Sequence, residues 1–312
     1  MFIVPYPDFL IIGAQKSGTT WLSVNLRHHP QVHMPAVKEL HYFNIIEERV
    51  PTSLFARLFD KRNWRWRYFL RMHTRLGLKY KNIRRKYRCL FGRMNDEWYA
   101  SRFRPKSNQI AGEATPEYAA LNLETIMHIK KIMPDLKIIY LLRNPVDRAW
   151  SSVFTMFKVW GKSVDPLDED ELMSYLEGSF QRSLGAYIQS LDRWMQVFPE
   201  ERFFIDFFEK ITLDPDDLLM SIFNFLGIRV DSKHIHTHLS RQVIMSGPGI
   251  EMPKKIRKYL SQMYLEDLEH LHKRFGGFAT QWLKQAQKCL GHPLPASPKN
   301  TPELRDEAVA CP

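Results

Sequence analysis

The stretch Phe9-Leu10-Ile11-Ile12-Gly13-Ala14-Gln15-Lys16-Ser17-Gly18-Thr19-Thr20-Trp21-Leu22 decides the fold. Phe9 to Ile12 is a short apolar run suited to a buried strand, and Gly13 breaks it. The loop from Gly13 to Thr20 is polar, and six of its eight residues are Gly, Lys, Ser or Thr. From Thr19 onward the pattern predicts a helix that ends near His29-Pro30. Strand, loop and helix in this order aim backbone N–H groups and the positive helix end at one point, where an anion is favoured. Lys16 adds a mobile charge, and Ser17, Thr19 and Thr20 add hydroxyls. An ordinary strand-to-helix turn needs none of that composition.

The same alternation continues outward. Lys137-Ile138-Ile139-Tyr140-Leu141-Leu142 is nearly all apolar, which predicts a strand buried on both faces, as in a parallel sheet. Helices are expected from about Asn122 to Met133 and from Val146 to Lys158. Phe203 to Phe207 reads as another strand. The segment before it carries Leu184, Tyr187, Ile188, Leu191, Trp194, Met195 and Phe198 as a helical stripe. Asp214-Pro215 starts a helix that Gly227 ends. One long amphipathic helix is expected over roughly Pro253 to Arg274. Strands alternating with helices predict an α/β protein with a central, mainly parallel sheet between helical layers.

Composition sets the bounds. The chain has 312 residues, 44% of them hydrophobic and 25% charged, as in a globular protein with a full core. No apolar run approaches the roughly 18 residues of a spanning helix. Met1 to Leu10 lacks the pattern of a secretory signal, so a cytoplasmic location is expected. Three cysteines without a CxxC argue against a disulfide framework or a cysteine-based metal site. The net charge of +11 comes from one place: residues 57–93 hold 14 Lys or Arg and a single acid, Asp60. Residues 57–98, rich in Arg, Trp and Tyr, are expected to be a basic helical insertion in a single domain spanning 1–290. The proline-rich stretch 291–312 is expected to be a disordered tail.

The loop differs from a Walker A motif, in which Lys follows the second Gly and precedes Ser or Thr. Here Lys16 precedes Ser17-Gly18. Gly-x-x-Lys-Ser-Gly-Thr-Thr-x-Leu, Gly13 to Leu22, instead resembles the 5′-phosphosulfate loop of the sulfotransferase family, whose donor is 3′-phosphoadenosine 5′-phosphosulfate (PAPS). A second motif agrees. Leu142-Arg143-Asn144-Pro145-Val146-Asp147-Arg148-Ala149-Trp150-Ser151 is similar to the family's strand-end Arg and following Ser, which bind the 3′-phosphate. Arg143 offers a planar fork to a phosphate, and Ser151, with Ser152 beside it, lies on the next helix. Gly112-Glu113-Ala114-Thr115-Pro116-Glu117-Tyr118 resembles a Gly-Glu-Lys-Thr-Pro-x-Tyr segment of the heparan sulfate enzymes. Gly185-Ala186-Tyr187 through Trp194 resembles another. The likeness runs from about residue 7 to 275. It implies a P-loop-like fold and PAPS as donor, with Lys16, Ser17, Gly18, Thr19, Thr20, Arg143 and Ser151 as its ligands. Arg241 or Lys254 would add to the 3′-phosphate site.

Lys38-Glu39-Leu40-His41-Tyr42-Phe43 resembles the Lys-Glu-x-His-Phe-Phe segment of the glycan sulfotransferases. Sulfuryl transfer, by analogy with phosphoryl transfer, needs alignment, charge neutralisation and a base. Lys16 suits the leaving phosphate and Glu39 the acceptor proton, with His41 as the alternative base. Glu39 and His41 are two residues apart and would share a face of an extended segment. An isolated Glu-x-His would read as a surface pair of Glu39 with Lys38. Lys38, Glu113 and Thr115 are expected to meet the acceptor. Ala114 replaces the Lys of the heparan enzymes, which weakens a heparan-like acceptor. The logic needs no metal, since Lys16, Arg143 and loop amides neutralise the charge. His234, His236 and His238 alternate, but no carboxylate or cysteine is in register with them.

The reading is sulfation of a carbohydrate or glycolipid hydroxyl. The alternatives are sulfation of a carrier-bound acyl or polyketide hydroxyl, an ATP-dependent kinase, or a non-catalytic polyanion-binding protein. The basic insertion would dock an acceptor, an acidic partner or an anionic surface. Its aromatics and arginines would also suit nucleic acid, but the motifs favour a lid or docking surface and no specific nucleic-acid partner.

Overall fold

The computed structural model describes residues 6–48, 94–160, 169–235, 240–241 and 250–291. Most of the expected insertion, most of the C-terminal tail, and His236 and His238 lie outside the described residues.

Five strands form one parallel sheet: β1 (Phe9–Gly13), β2 (Val32–His33), β3 (Ile110–Ala114), β4 (Lys137–Leu142) and β5 (Phe203–Phe207). Their order is β2-β3-β1-β4-β5. Leu10 lies opposite Glu113 on β3 and Ile138 on β4, so β1 is the central strand. The chain fills one side of β1 with β2 and β3, then crosses to β4 and β5 on the other. In such sheets the crevice for ligands opens where the order reverses, at the carboxyl ends of the strands.

Alternate residues of β1 and β4 feed opposite cores. Leu10, Ile12, Ile138, Tyr140 and Leu142 belong to one cluster; Phe9, Ile11, Ile139 and Leu141 belong to the other. Both faces of the sheet are therefore covered, which explains the continuous apolar runs. Helix α1 (Thr19–His28) packs on the second face. In chain order there follow α2 (Tyr42–Glu47), α3 (Asp96–Ala100), α4 (Leu123–Ile132) and α5 (Pro145–Trp160). Then come α6 (Glu169–Glu177), α7 (Ser179–Gly185), α8 (Tyr187–Met195), α9 (Lys210–Leu213) and α10 (Pro215–Leu226). The last are α11 (Lys254–Met263), α12 (Leu265–Phe275) and α13 (Gly277–Leu290). Among the described residues no helix is long and apolar enough to cross a membrane.

The structure corrects several sequence expectations. The helix expected over Pro253 to Arg274 is two, broken at Tyr264. Ile256, Leu260, Tyr264, Leu268 and Leu271 are all buried at helical spacing, so the apolar stripe runs through the break unaltered. The Tyr264 hydroxyl accepts from buried Arg148 at 3.1 Å and donates to the Gln181 carbonyl at 3.0 Å, joining the break between α11 and α12 to α5 and α7. The stripe from Leu184 to Phe198 is likewise interrupted, at Ala186. Strand β3, Ile110-Ala111-Gly112-Glu113-Ala114, has too little apolar character to be read as a strand. Gly112 is required there, because a Cβ would stand 2.0 Å from the ring of Phe9.

Candidate active site

The loop between β1 and α1 sits at the carboxyl end of the central strand. Gly18 precedes α1 with φ 76°, a left-handed conformation that favours glycine, and a Cβ there would meet Ile211 at 2.2 Å. Lys16 also has positive φ, 68°. Ser17 is fully buried, and its Oγ has no hydrogen-bond partner among the described residues. A buried hydroxyl left unsatisfied is costly. The first turn of α1 carries no acidic residue. The free N–H groups of that turn and the Ser17 hydroxyl thus fit an anion. Thr19 is buried and Thr20 partly exposed at the same helix start.

Two cations flank this loop. Arg143, after β4, donates to the Lys16 carbonyl at 2.7 Å and lies 4.4 Å over the ring of Phe208. Lys16 Nζ donates to Thr155 Oγ1 on α5 at 2.8 Å. Burial, reinforced by the nearby Arg143 charge, lowers the Lys16 ammonium to about 8. Burial also lowers Arg143. Both are desolvated cations whose charged forms an anion would restore.

Helix α5 presents two faces. Ser152 is buried and donates to the Ala149 carbonyl at 2.6 Å. Ser151 is partly exposed, and it shares a face with Thr155 four residues on. Ser151 thus lies on the helix face that carries Thr155, the residue Lys16 reaches. Arg241 is exposed and follows Ser240, whose carbonyl accepts from Trp21 Nε1 on α1 at 2.7 Å. Lys254 is exposed at the start of α11.

Glu39 and His41 come together by a route the sequence does not suggest. The segment is not extended. Glu39 has φ 61° and His41 φ 51°, and the left-handed corner brings His41 Nε2 to 3.8 Å from Glu39 Oε2. Lys16, Glu39 and His41 are the non-glycine residues with positive φ among the described residues. Such strain collects at functional sites. Lys38 Nζ is hydrogen-bonded to Glu39 Oε1, so the surface pair foreseen as the plain reading exists inside the site. His41 Nδ1 is 3.1 Å from Asn44 Oδ1 and 3.7 Å from Glu117 Oε2.

Charge assigns states to this cluster. Burial alone would raise the Glu39 carboxyl, but the Lys38 charge and the His41 hydrogen bond outweigh it and hold the group well below the usual carboxylate range. Burial alone would lower His41; Glu117 and Glu39 reverse this, and its pKa is raised. The two groups shift in opposite directions, Glu39 toward the carboxylate and His41 toward the protonated imidazole, as expected for paired charges.

Glu113 and Thr115, expected to meet the acceptor, are fully buried beneath the corner. Glu113 Oε1 accepts from the Leu40 N–H at 3.2 Å, Thr115 Oγ1 at 2.6 Å and Tyr118 Oη at 3.1 Å, and Oε2 accepts from Tyr99 Oη. Burial raises the Glu113 carboxyl. The bond to Leu40 ties β3 to the residue between Glu39 and His41, which makes Glu113 a positioning residue. Sequence reasoning missed Thr155, Asn44, Tyr99 and the role of Glu117. Thr155 and Tyr99 belong to no motif. Asn44 had a signal: it is three residues after His41, one turn into α2.

The sulfotransferase domain family matches residues 6–258. Human heparan sulfate glucosamine 3-O-sulfotransferase 6 is 28% identical over 251 residues, covering 76% of this chain and 57% of that protein. Rat carbohydrate sulfotransferase 15 is 25% identical over 262 residues, covering 71% and 44%. The chain thus spans little more than half the length of the human relative. A sulfotransferase from Alicyclobacillus acidocaldarius superposes with a TM-score of 0.58 at 23% identity, covering 89% of this chain and 99% of that one. By the extent of the domain match, this chain belongs to the sulfotransferase family.

Proposed function

We propose that this protein transfers a sulfuryl group from PAPS to a hydroxyl of a carbohydrate. One observation carries the reading: three strained, non-glycine backbone positions fall on Lys16, Glu39 and His41, the second of them 23 residues after the first. Family membership supports the donor, and the glycan-acting relatives support the acceptor class.

When bound, PAPS supplies the sulfuryl group and a bisphosphate that leaves. The N–H groups from Gly18 to Thr20 and the hydroxyls of Ser17, Thr19 and Thr20 would hold its 5′-phosphate, the Ser17 N–H being engaged with the Ala14 carbonyl. Lys16 neutralises charge that grows on the leaving oxygen. Arg143 and Ser151 hold the 3′-phosphate, and Arg241 stands by α1 to reinforce them. Glu39 accepts the proton of the acceptor hydroxyl on a carboxylate oxygen. His41, as imidazolium, orients Glu39. Lys38 is the largest charge depressing Glu39 and is hydrogen-bonded to it.

Calorimetry of 3′-phosphoadenosine 5′-phosphate (PAP) against ATP, on wild type and Arg143→Ala, tests the donor. Tight PAP binding, absent for ATP and lost in the variant, is the expected result. Preference for ATP, or indifference to Arg143, would overturn the reading and favour the kinase.

A further inference from the structure

Resting on the sulfotransfer reading above, we propose that Glu209 is a built-in rival of the donor's 3′-phosphate: its carboxylate shares the charge of Arg143, so ionised Glu209 weakens the hold on PAP and eases its release. The turn after β5 lies against the donor loop. The Phe208 N–H donates to the Leu142 carbonyl at 2.7 Å, one residue before Arg143, and the Phe208 ring lies under the Arg143 guanidinium. Ile211, in the same turn, is what a Cβ on Gly18 would strike. Glu209 stands between these two in the chain. It is near enough to Arg143 that each charge acts on the ionisation of the other.

Helix α13, which begins beyond the matched residues 6–258, fixes this carboxylate. Buried Trp282 donates from Nε1 to Glu209 Oε1 at 2.7 Å, and its ring packs edge-to-face on Phe207 with centroids 5.3 Å apart. Asn144 donates to Gln285 Oε1 on the same helix at 3.2 Å, and its own Oδ1 accepts from the Val146 N–H at 3.0 Å. The residues that follow Arg143 and Phe208 are thus both tied to α13. Glu209 Oε2 is buried and has no hydrogen-bond partner among the described residues. An amide would serve Trp282 equally well, whereas a carboxylate with an unsatisfied buried oxygen is costly. Burial raises the Glu209 carboxyl to about 6, against the Trp282 hydrogen bond and the Arg143 charge, which lower it. Asp147 on α5 adds to the rise and is itself paired with Arg257 on α11 at 3.4 Å. Tyr187 on α8 also faces Glu209, and Lys210 beside it pairs with Asp206 at 2.9 Å. A phosphate brought to Arg143 sets a further negative charge beside Glu209 and favours its protonation. The coupling is reciprocal: a carboxylate that the phosphate disfavours is one that disfavours the phosphate.

The test uses the full chain and PAP, with affinity measured by calorimetry across the pH range on wild type and Glu209→Gln. The substitution keeps an oxygen for Trp282 and removes the charge. The phosphates of PAP and Lys16 titrate in both proteins, so the ratio of the two affinities isolates Glu209. Glu209→Gln is expected to bind PAP as tightly as wild type at about pH 5 and about tenfold more tightly at about pH 8, the size of a shift of about one pKa unit. In a Trp282→Phe background the same ratio should rise only at higher pH, because the Trp282 hydrogen bond favours the charged carboxylate. A ratio that stays flat, that falls with pH, or that rises at the same pH without Trp282 would overturn the proposal. Loss of PAP binding in Glu209→Gln alone would overturn it too, since the carboxylate would then support the donor. Absence of PAP binding in wild type would instead refute the sulfotransfer reading beneath this proposal.

Discussion

The two sides of the site are built from opposite charges. On the donor side, Lys16 and Arg143 are partly buried cations whose pKa values burial lowers, and the buried Ser17 hydroxyl beside Lys16 in sequence has no hydrogen-bond partner among the described residues. On the acceptor side, Glu39 and Glu117 flank His41. A cation kept from water without a partner costs free energy until an anion arrives. The donor side therefore depends on its ligand to be satisfied. On the acceptor side Glu39 is paired with Lys38 and lies beside His41, and Glu117 stands 3.7 Å from the other nitrogen of that ring. Donor binding should be driven by charge, and acceptor binding by hydrogen bonds and shape.

The comparison can be broken at several points. Lys16→Ala should lower kcat by about 10³-fold, the scale of losing one donor to a developing charge. Full turnover in that variant would remove the donor side from the mechanism. Glu39→Gln should lower kcat by about 10²- to 10³-fold while PAP affinity, read by calorimetry, stays within about threefold. A parallel fall in PAP affinity would mean that the two sides are not separable. Arg143→Ala should weaken PAP by about 10- to 100-fold, the loss of a charge-assisted contact, with little effect on a PAP-free protein's melting temperature.

Smaller effects sharpen the acceptor side. Tyr99→Phe removes a buried hydroxyl that donates to Glu113, and should cost about 1–2 kcal/mol in urea unfolding. If Glu113 acts by holding Leu40, that variant also loses turnover at saturating donor, with KM for PAP unchanged. The smallest effect concerns pH. His41 has a folded-state pKa raised above 6.5, so its charged contacts stabilise the fold fully below 6.5 and are lost as pH rises through the raised value. The melting-temperature gap between wild type and His41→Gln should therefore shrink as pH rises above about 6.5. A gap that widens would mean that the imidazole is neutral in the folded protein.

Legibility in the sequence followed the range of the interactions involved. Strands β1 and β4 were readable because burial on both faces leaves an apolar run, and the edge strand β5 because four of its five residues are Phe or Ile. Helix α10 was readable because Asp214 and Gly227 cap it locally: Asp214 Oδ1 accepts from the Asp217 N–H at 3.2 Å, and Gly227 takes φ 74°. The donor loop was readable because its chemistry is carried by consecutive residues. The break at Tyr264 was not, since the side chains that meet there come from α5 and α7.

The acceptor side shows the same division more sharply. Glu39 and His41 were chosen correctly as neighbours but for the wrong geometry: two left-handed residues, rather than an extended segment, bring them together. That corner is held by Glu113, 73 residues away from Leu40. Thr155 reaches Lys16 across 139 residues. The sequence alone determined the parallel α/β architecture, the anion-binding loop and the residue types for the chemistry, because those depend on local pattern and backbone polarity. The tertiary structure decided that Thr155 meets Lys16, that a left-handed corner brings Glu39 beside His41, and that Glu113 and Thr115 lie buried beneath that corner. Those outcomes depend on burial and on charges brought close by the fold, and sequence spacing encodes neither.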